Sequence, residues 1–242
     1  VAGRGAERMP FPTNPVRTGV NCRIFPVNIP ARTDRIIDRP AVNIYPWGLF
    51  TTYTLTLALI ATSTTFQLTK CRLRPWREGD EETLSYYASN RLIWNNVRDF
   101  FPYPYTPRDA HSWVRSNKSY QQPNNFAVEV DGKAVGNIGF TVKDDIYRYN
   151  AEIGYWLGEP FWGRGIMREA VPVLTQYIFD NFQVNRLFAC VLEGNQGSMR
   201  VLECAGYRPE AVLRKAAVKN NQYLDEHIFA MLRADFLARQ DH

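Results

Sequence analysis

The stretch Ala151-Glu-Ile-Gly-Tyr-Trp-Leu157, continuing through Gly158-Glu-Pro-Phe-Trp-Gly-Arg-Gly165 into Ile166-Met-Arg-Glu-Ala170, decides the fold. Its first seven residues read as a strand, whereas Ile166, Ala170, Val173, Leu174, Tyr177 and Ile178 recur at helical spacing as far as about Asp180. Pro172 within that helix removes one backbone bond and is expected to kink it. Trp162-Gly-Arg-Gly-Ile-Met167 therefore stands where a strand ends and a helix begins, with the N–H groups of the first turn unpaired. Such a turn suits phosphate: the glycines permit positive φ and close approach, and Arg164 adds charge. Taken alone, the same residues also suit a tight strand-to-helix turn with no ligand.

Upstream, a strand is read through Leu68, Cys71, Leu73 and Pro75, and Gly79-Asp-Glu-Glu82 opens a helix whose acidic first turn complements its dipole. A second helix is expected over Arg91–Phe100, and a third after Thr106-Pro107, with Thr as N-cap and Pro in first position. Asn125–Val130 and Ala134–Val142 flank Asp131-Gly132, a hairpin turn dipeptide. Downstream come a strand over Leu187–Leu192, a helix over Gln196–Ala205 closed by Gly206, and two final strands. Asn195 or Ser198 in Asn195-Gln-Gly-Ser198 is placed to cap that last helix.

The chain has 242 residues, 45% of them hydrophobic, and a formal net charge of +5, a composition that excludes wholesale disorder. Residues 1–65 hold seven Arg against three acids, so the excess charge belongs to this Pro-rich leader and the remainder is near neutral. We expect the leader to be poorly ordered, with a possible strand at 50–60 where Tyr53, Leu55, Leu57 and Leu59 alternate with Thr and Ala, and residues 66–242 to form the working domain. Leu49–Ala61 is too short and too rich in Thr for a transmembrane helix. Cys22, Cys71, Cys190 and Cys204 lie far apart and only three His occur, so neither a disulfide framework nor a metal site is indicated and a cytoplasmic setting fits.

Five ordered segments carry a resemblance. They are Leu73-Arg-Pro-Trp-Arg-Glu-Gly-Asp80, Phe101-Pro-Tyr-Pro-Tyr-Thr-Pro-Arg-Asp-Ala110, Ala151–Leu157, Trp162–Met167, and Asn195-Gln-Gly-Ser198 leading to Gly206-Tyr207. From about Leu68 to Phe236 the chain resembles the GNAT superfamily of acetyl-CoA-dependent N-acetyltransferases, most nearly its RimJ/RimL-like branch of ribosomal-protein N-terminal acetyltransferases. The resemblance implies an α/β (α+β) fold: a mixed, mostly antiparallel sheet splayed at its middle strands, with helices on both faces. It implies acetyl-CoA pyrophosphate on the backbone of Gly163, Arg164, Gly165, Ile166 and Met167. The pantetheine arm would pair like a strand with Tyr155, Trp156 and Leu157, and Asn195 and Ser198 would contact its thioester end.

Three positions, in two motifs, depart from the family pattern. Trp162 stands where Gln or Arg usually opens the glycine motif, and Met167 where Gly or Ala closes it. Leu202 stands where many members carry the Tyr that protonates the leaving thiolate. The reading that follows is direct transfer from acetyl-CoA to a primary amine, either a peptide N-terminus or a small-molecule amine. Glu152 is the expected base, acting through water, and Ser198 the expected proton donor, with Asn195 ordering a water. A backbone N–H of Tyr155–Leu157 would stabilise the tetrahedral intermediate.

Asp225, Glu226 and Glu193 are weaker candidates for the base and also suit surface or turn charges, and Cys190 is not expected to act as a covalent nucleophile. Aromatics at Trp94, Phe100, Phe101, Tyr103 and Tyr105 suit either the acceptor entrance or the core. A CoA-binding sensor or scaffold of the same fold is the alternative, motivated by Leu202. We expect no nucleic-acid or membrane partner, and a monomer or homodimer.

Overall fold

The computed structural model describes residues 64–117 and 122–240, so residues 1–63, including the strand expected at 50–60, lie outside the described residues. The single strand expected before the first helix is instead a tight pair, β1 (Phe66–Gln67) and β2 (Arg72–Arg74), turned by a hydrogen bond from Leu68 N to Cys71 O of 2.9 Å. Helix α1 (Glu81–Ala88) opens on acidic residues as expected.

Helix α2 is only Arg91–Trp94, six residues shorter than its expected reach to Phe100. Asn95 and Asn96 explain the difference. The chain tightens to Asn96 N–Ile93 O and Val97 N–Trp94 O bonds of 2.9 and 3.3 Å, while the Asn96 side chain takes the Leu92 carbonyl. Ahead of α3 (Pro107–Asn117), Thr106 and Asp109 cap each other, the Thr106 hydroxyl accepting from Asp109 N and the Asp109 carboxylate accepting from Thr106 N.

Strands β3 (Asn125–Val130) and β4 (Lys133–Val142) form the expected hairpin, with Asp131 and Gly132 both at positive φ. Then follow β5 (Asn150–Leu157), α4 (Ile166–Asn181), β6 (Arg186–Leu192), α5 (Gln196–Ala205), β7 (Arg208–Lys219), β8 (Gln222–Leu232) and α6 (Arg233–Gln240). The last helix had no signal in the sequence reading. Helix α4 runs unbroken through Pro172, whose missing N–H falls opposite the carbonyl of exposed Arg168.

The eight strands form one sheet in the order β1-β2-β3-β4-β5-β6-β8-β7. All neighbours are antiparallel except β5 and β6. Alternating residues feed two cores. Phe126, Val128, Val135 and Ile138 pack with α4 on one face, and Ala127 and Ala134 pack with Trp76, Leu84 and Val114 on the other. The architecture matches the expected mixed sheet with helices on both faces.

A charged node ties β2 to β3 and to the start of α1. The Arg74 guanidinium forks onto both oxygens of Asp80 at 2.7 Å and also bonds Glu129, with Arg72 and Arg77 completing the shell around Glu129. Arg74, Asp80 and Glu129 are 4%, 5% and 5% exposed. Burial alone would raise the Glu129 carboxyl, but the Arg74 and Arg72 guanidinium groups outweigh it and hold the carboxyl below its ordinary value. Removing Arg74 would take the bidentate partner from Asp80 and the most deeply buried of three partners from Glu129, so Arg74→Met is expected to cost about 3 kcal/mol in denaturant unfolding. Because the folded-state value is lowered, the contribution of Glu129 is complete above about 4.5 and fades as pH falls further. Acid unfolding of Glu129→Gln should therefore show a shallower acid limb than the parent.

Candidate active site

The parallel pairing of β5 with β6 lasts three residues, Asn150↔Arg186, Ala151↔Leu187 and Glu152↔Phe188, and then stops. Beyond it β5 stays paired with β4 to Leu157, and β6 stays paired with β8 to Leu192. The two halves of the sheet thus diverge around a cavity of about 490 Å³.

Which backbone groups face the gap follows from strand alternation. Asn150 O accepts from Lys143 N and Gly158 N donates to Val135 O, so the even-numbered residues of β5 present their main chain to β4. Tyr155 and Leu157 consequently present theirs to the gap, where β6 offers no partner. Trp156 does not, which narrows the expected pairing surface to two of its three residues. Trp162, the departure at the head of the glycine motif, donates its indole N–H to Leu157 O at 2.6 Å and so satisfies one of the freed carbonyls.

Past the end of β5 lies the glycine turn. Gly163 and Gly165 have φ of 72° and 77°, and Gly165 is the N-cap of α4 with no side chain capping the first turn. Ile166 and Met167 point their side chains into the core, leaving their N–H groups at the helix terminus. Arg164 is exposed and stacks over Phe161. A residue absent from the sequence reading also stands here: Lys70, from the β1–β2 turn, donates its ammonium to Arg164 O at 2.8 Å. No local motif announces it, since 94 residues separate the two.

Asn195 is the N-cap of α5, its Oδ1 accepting from Ser198 N at 3.2 Å. Ser198 Oγ lies 2.9 Å from the Tyr155 hydroxyl. All three residues line the cavity, while Leu202, one turn further along α5, is fully buried in the core. Burial pushes the Tyr155 phenol above its ordinary value, against a smaller opposing effect of the Ser198 bond.

Glu152 also lines the cavity, with one carboxylate oxygen bonded by Arg98 and the other by Lys143 at 2.6 Å. Glu226, the weaker candidate for the base, lines the same cavity without an ion pair among the described residues. Asp225 and Glu193 do behave as turn charges: Asp225 accepts from Lys215 N and Glu193 accepts from Asp225 N. The far end is aromatic. Phe101, Tyr105, Trp113 and Trp156 line it, and the buried Trp113 Nε1 has no partner among the described residues. Phe100 also reaches the cavity, whereas Trp94 and Tyr103 pack together outside it. Among the described residues no cluster of His, Cys, Asp and Glu could hold a metal, and no helix is long and apolar enough to cross a membrane.

Residues 70–208, more than half of the chain, match the family described as "Acetyltransferase (GNAT) domain". The chain belongs to this family of acetyl-CoA-dependent acyltransferases. Among individual proteins, it is 41% identical over 85 residues to the probable N-acetyltransferase YjcK of Bacillus subtilis, a match covering 35% of this chain and 47% of that protein. It is 27% identical over 107 residues to the ribosomal-protein-serine acetyltransferase of Escherichia coli, covering 44% and 59%. Its fold is shared with Mycobacterium smegmatis RimJ in complex with CoA-disulfide, at a TM-score of 0.63 and 20% identity, covering 75% of this chain and 96% of that one.

Cys190, free and half-buried, lines the cavity too, and burial, aided by the Glu226 and Glu152 charges, pushes its thiol up to about 11. A raised value keeps it as the unreactive thiol at neutral pH. Alkylation of Cys190 by iodoacetamide, mapped by mass spectrometry, is expected to stay slow until pH approaches that value; rapid labelling at neutral pH would contradict this environment.

Proposed function

We propose that this protein transfers the acetyl group of acetyl-CoA directly to a single primary amine, the α-amine of a peptide or a small-molecule amine. The observation that carries the reading is the gap itself. Tyr155 and Leu157 turn main-chain groups toward it that β6 does not pair, Leu157 O alone being taken by Trp162 among the described residues, and a helix terminus with two left-handed glycines and no side-chain cap follows β5. Pantetheine carries peptide-like amides that can replace the missing strand, and pyrophosphate suits the helix terminus. The ammonium of Lys70 adds a positive charge beside the same turn. In this role the backbone N–H groups facing the gap also serve as donors to the oxyanion of the tetrahedral intermediate. Gly165→Ala forces a side chain into the left-handed region, and is expected to weaken CoA binding about tenfold by calorimetry while costing ~1 kcal/mol of stability.

The charged groups lining the cavity are balanced, Arg98 and Lys143 against Glu152 and Glu226. A polyamine or aminoglycoside needs a surplus of carboxylates, which this lining lacks, so the balance favours an acceptor with one amine. The α-amino group, at about 7.7–8.0, is neutral far more often at pH 7 than a Lys side chain at about 10.4. The name of the E. coli relative is consistent with a protein amine. The free Trp113 N–H offers one hydrogen bond to a carbonyl or hydroxyl of the acceptor. A panel of peptides and small amines, with detection of the acetylated product by mass spectrometry, tests the proposal. Absence of any product with CoA still bound would favour the sensor alternative.

Glu152 remains our proposed water-mediated base. Both of its oxygens already accept charge-assisted bonds, however, whereas Glu226 faces the same cavity unpaired. The comparison is decisive by kinetics: Glu152→Gln should lower kcat about 100-fold with KM for acetyl-CoA nearly unchanged, and Glu226→Gln should lower it far less. The reverse ranking would assign the base to Glu226.

A further inference from the structure

The leaving thiolate poses the one chemical problem that the family pattern leaves open in this chain, since Leu202 is a buried hydrophobe where the resemblance calls for a Tyr. A phenol nevertheless stands beside the gap, supplied by a different element. We propose that Tyr155, on β5, is the positioning residue that turns the Ser198 hydroxyl hydrogen toward the CoA sulfur, so that a Tyr–Ser pair replaces the missing tyrosine. The proposal rests on acetyl transfer from acetyl-CoA at this site.

The hydrogen inventory supports this assignment. The Tyr155 hydroxyl is 2.9 Å from Ser198 Oγ and 3.3 Å from Ser198 O. Ser198 O, which also accepts the Leu202 N–H in the helical ladder, is the more distant of the two, so the phenol's nearer partner is Oγ. A phenol is a stronger acid and a weaker acceptor than an alkyl hydroxyl, so Tyr155 donates and Ser198 Oγ accepts. With Tyr155 as the donor, Ser198 keeps its own hydrogen, and no acceptor for it other than the Tyr155 oxygen is found among the described residues. A second phenol nearby does not compete: Thr175 donates its hydrogen to Val171 O, so the Tyr207 hydroxyl, 2.8 Å away, must donate to Thr175. Ser198 N–H is held by Asn195, which fixes the hydroxyl's backbone.

In the transfer, the amine nitrogen bonds to the acetyl carbon, the C–S bond breaks with its electron pair going to sulfur, and the amine proton leaves to the base. The thiolate is held by the Ser198 O–H and takes up one proton from solvent water, matching the one the base releases to solvent, giving the amide and CoA thiol with Ser198 unchanged. Tyr155 gains and loses nothing. Because burial holds the phenol above its ordinary value, it stays a donor throughout. A hydroxyl that already accepts from a phenol is also a stronger donor itself, by the cooperativity of linked hydrogen bonds.

The test is the fraction of enzyme-bound CoA present as thiolate at mildly alkaline pH, read by ultraviolet absorbance, in the parent, Tyr155→Phe, Ser198→Ala and the double variant. Phenylalanine keeps the ring, and the dissociation constant of acetyl-CoA reports whether the site survives. The expected result is a fall in thiolate of about tenfold in Ser198→Ala and several-fold in Tyr155→Phe, with kcat falling in parallel and affinity for acetyl-CoA, which carries no thiolate, nearly unchanged. The double variant should be no worse than Ser198→Ala alone. A Tyr155→Phe enzyme that binds CoA and keeps the parent's thiolate fraction, or additive losses in the double variant, would overturn the pair. Failure of the parent to bind CoA or to acetylate any amine would instead overturn the underlying reading.

Discussion

The structure depends on where one parallel ladder stops. After Glu152↔Phe188, β5 continues along β4 and β6 continues along β8, and neither can bend back toward the other without giving up its own antiparallel partner. Backbone N–H and C=O groups withdrawn from water need partners, so an open ladder inside a sheet is a demand for hydrogen bonds from elsewhere. Among the described residues the chain answers it at Leu157 O, through the Trp162 indole. The remaining groups give the cavity its chemical character, which is that of a missing strand.

Local signals in the sequence were strong where local physics decides. The Asp131-Gly132 turn, the Thr106 cap, the two glycines ahead of α4 and the Gly206 terminator each follow from one or two residues and lie where they were read. The end of α2 was misread because it depends on partners far away: two asparagines tighten the turn, and Lys219 takes the Val97 carbonyl. Lys70 and the Arg74 node were invisible for the same reason, being contacts across the sheet rather than patterns along the chain.

The site shows the same division. The main-chain elements, namely the glycine turn and the strand beside it, could be placed from residue types, although only alternation in the sheet separates Tyr155 and Leu157 from Trp156. The side-chain chemistry was less legible. Glu152 reads as a lone acid in sequence and is gripped by two cations in the fold, while Glu226, a weaker candidate for the base in sequence, faces the cavity. Leu202 marked a vacancy in the family pattern, but a tyrosine 47 positions earlier could be related to it only once α5 was laid against β5.

Lys219 sits at the tip of the β7–β8 hairpin, 3% exposed, with its ammonium 2.8 Å from Val97 O, 2.7 Å from Asp99 and 3.4 Å from the Trp94 ring centre. The hairpin belongs to one half of the divided sheet and the Trp94–Asp99 segment leans on the other, next to the Arg98 that holds Glu152. A buried ammonium pulled from such partners is costly, so the two halves are riveted at the far side of the opening as well as hinged at the three shared pairs. The spacing of the two halves is then fixed from both ends of the opening, so its width is set by the fold rather than by whatever enters it.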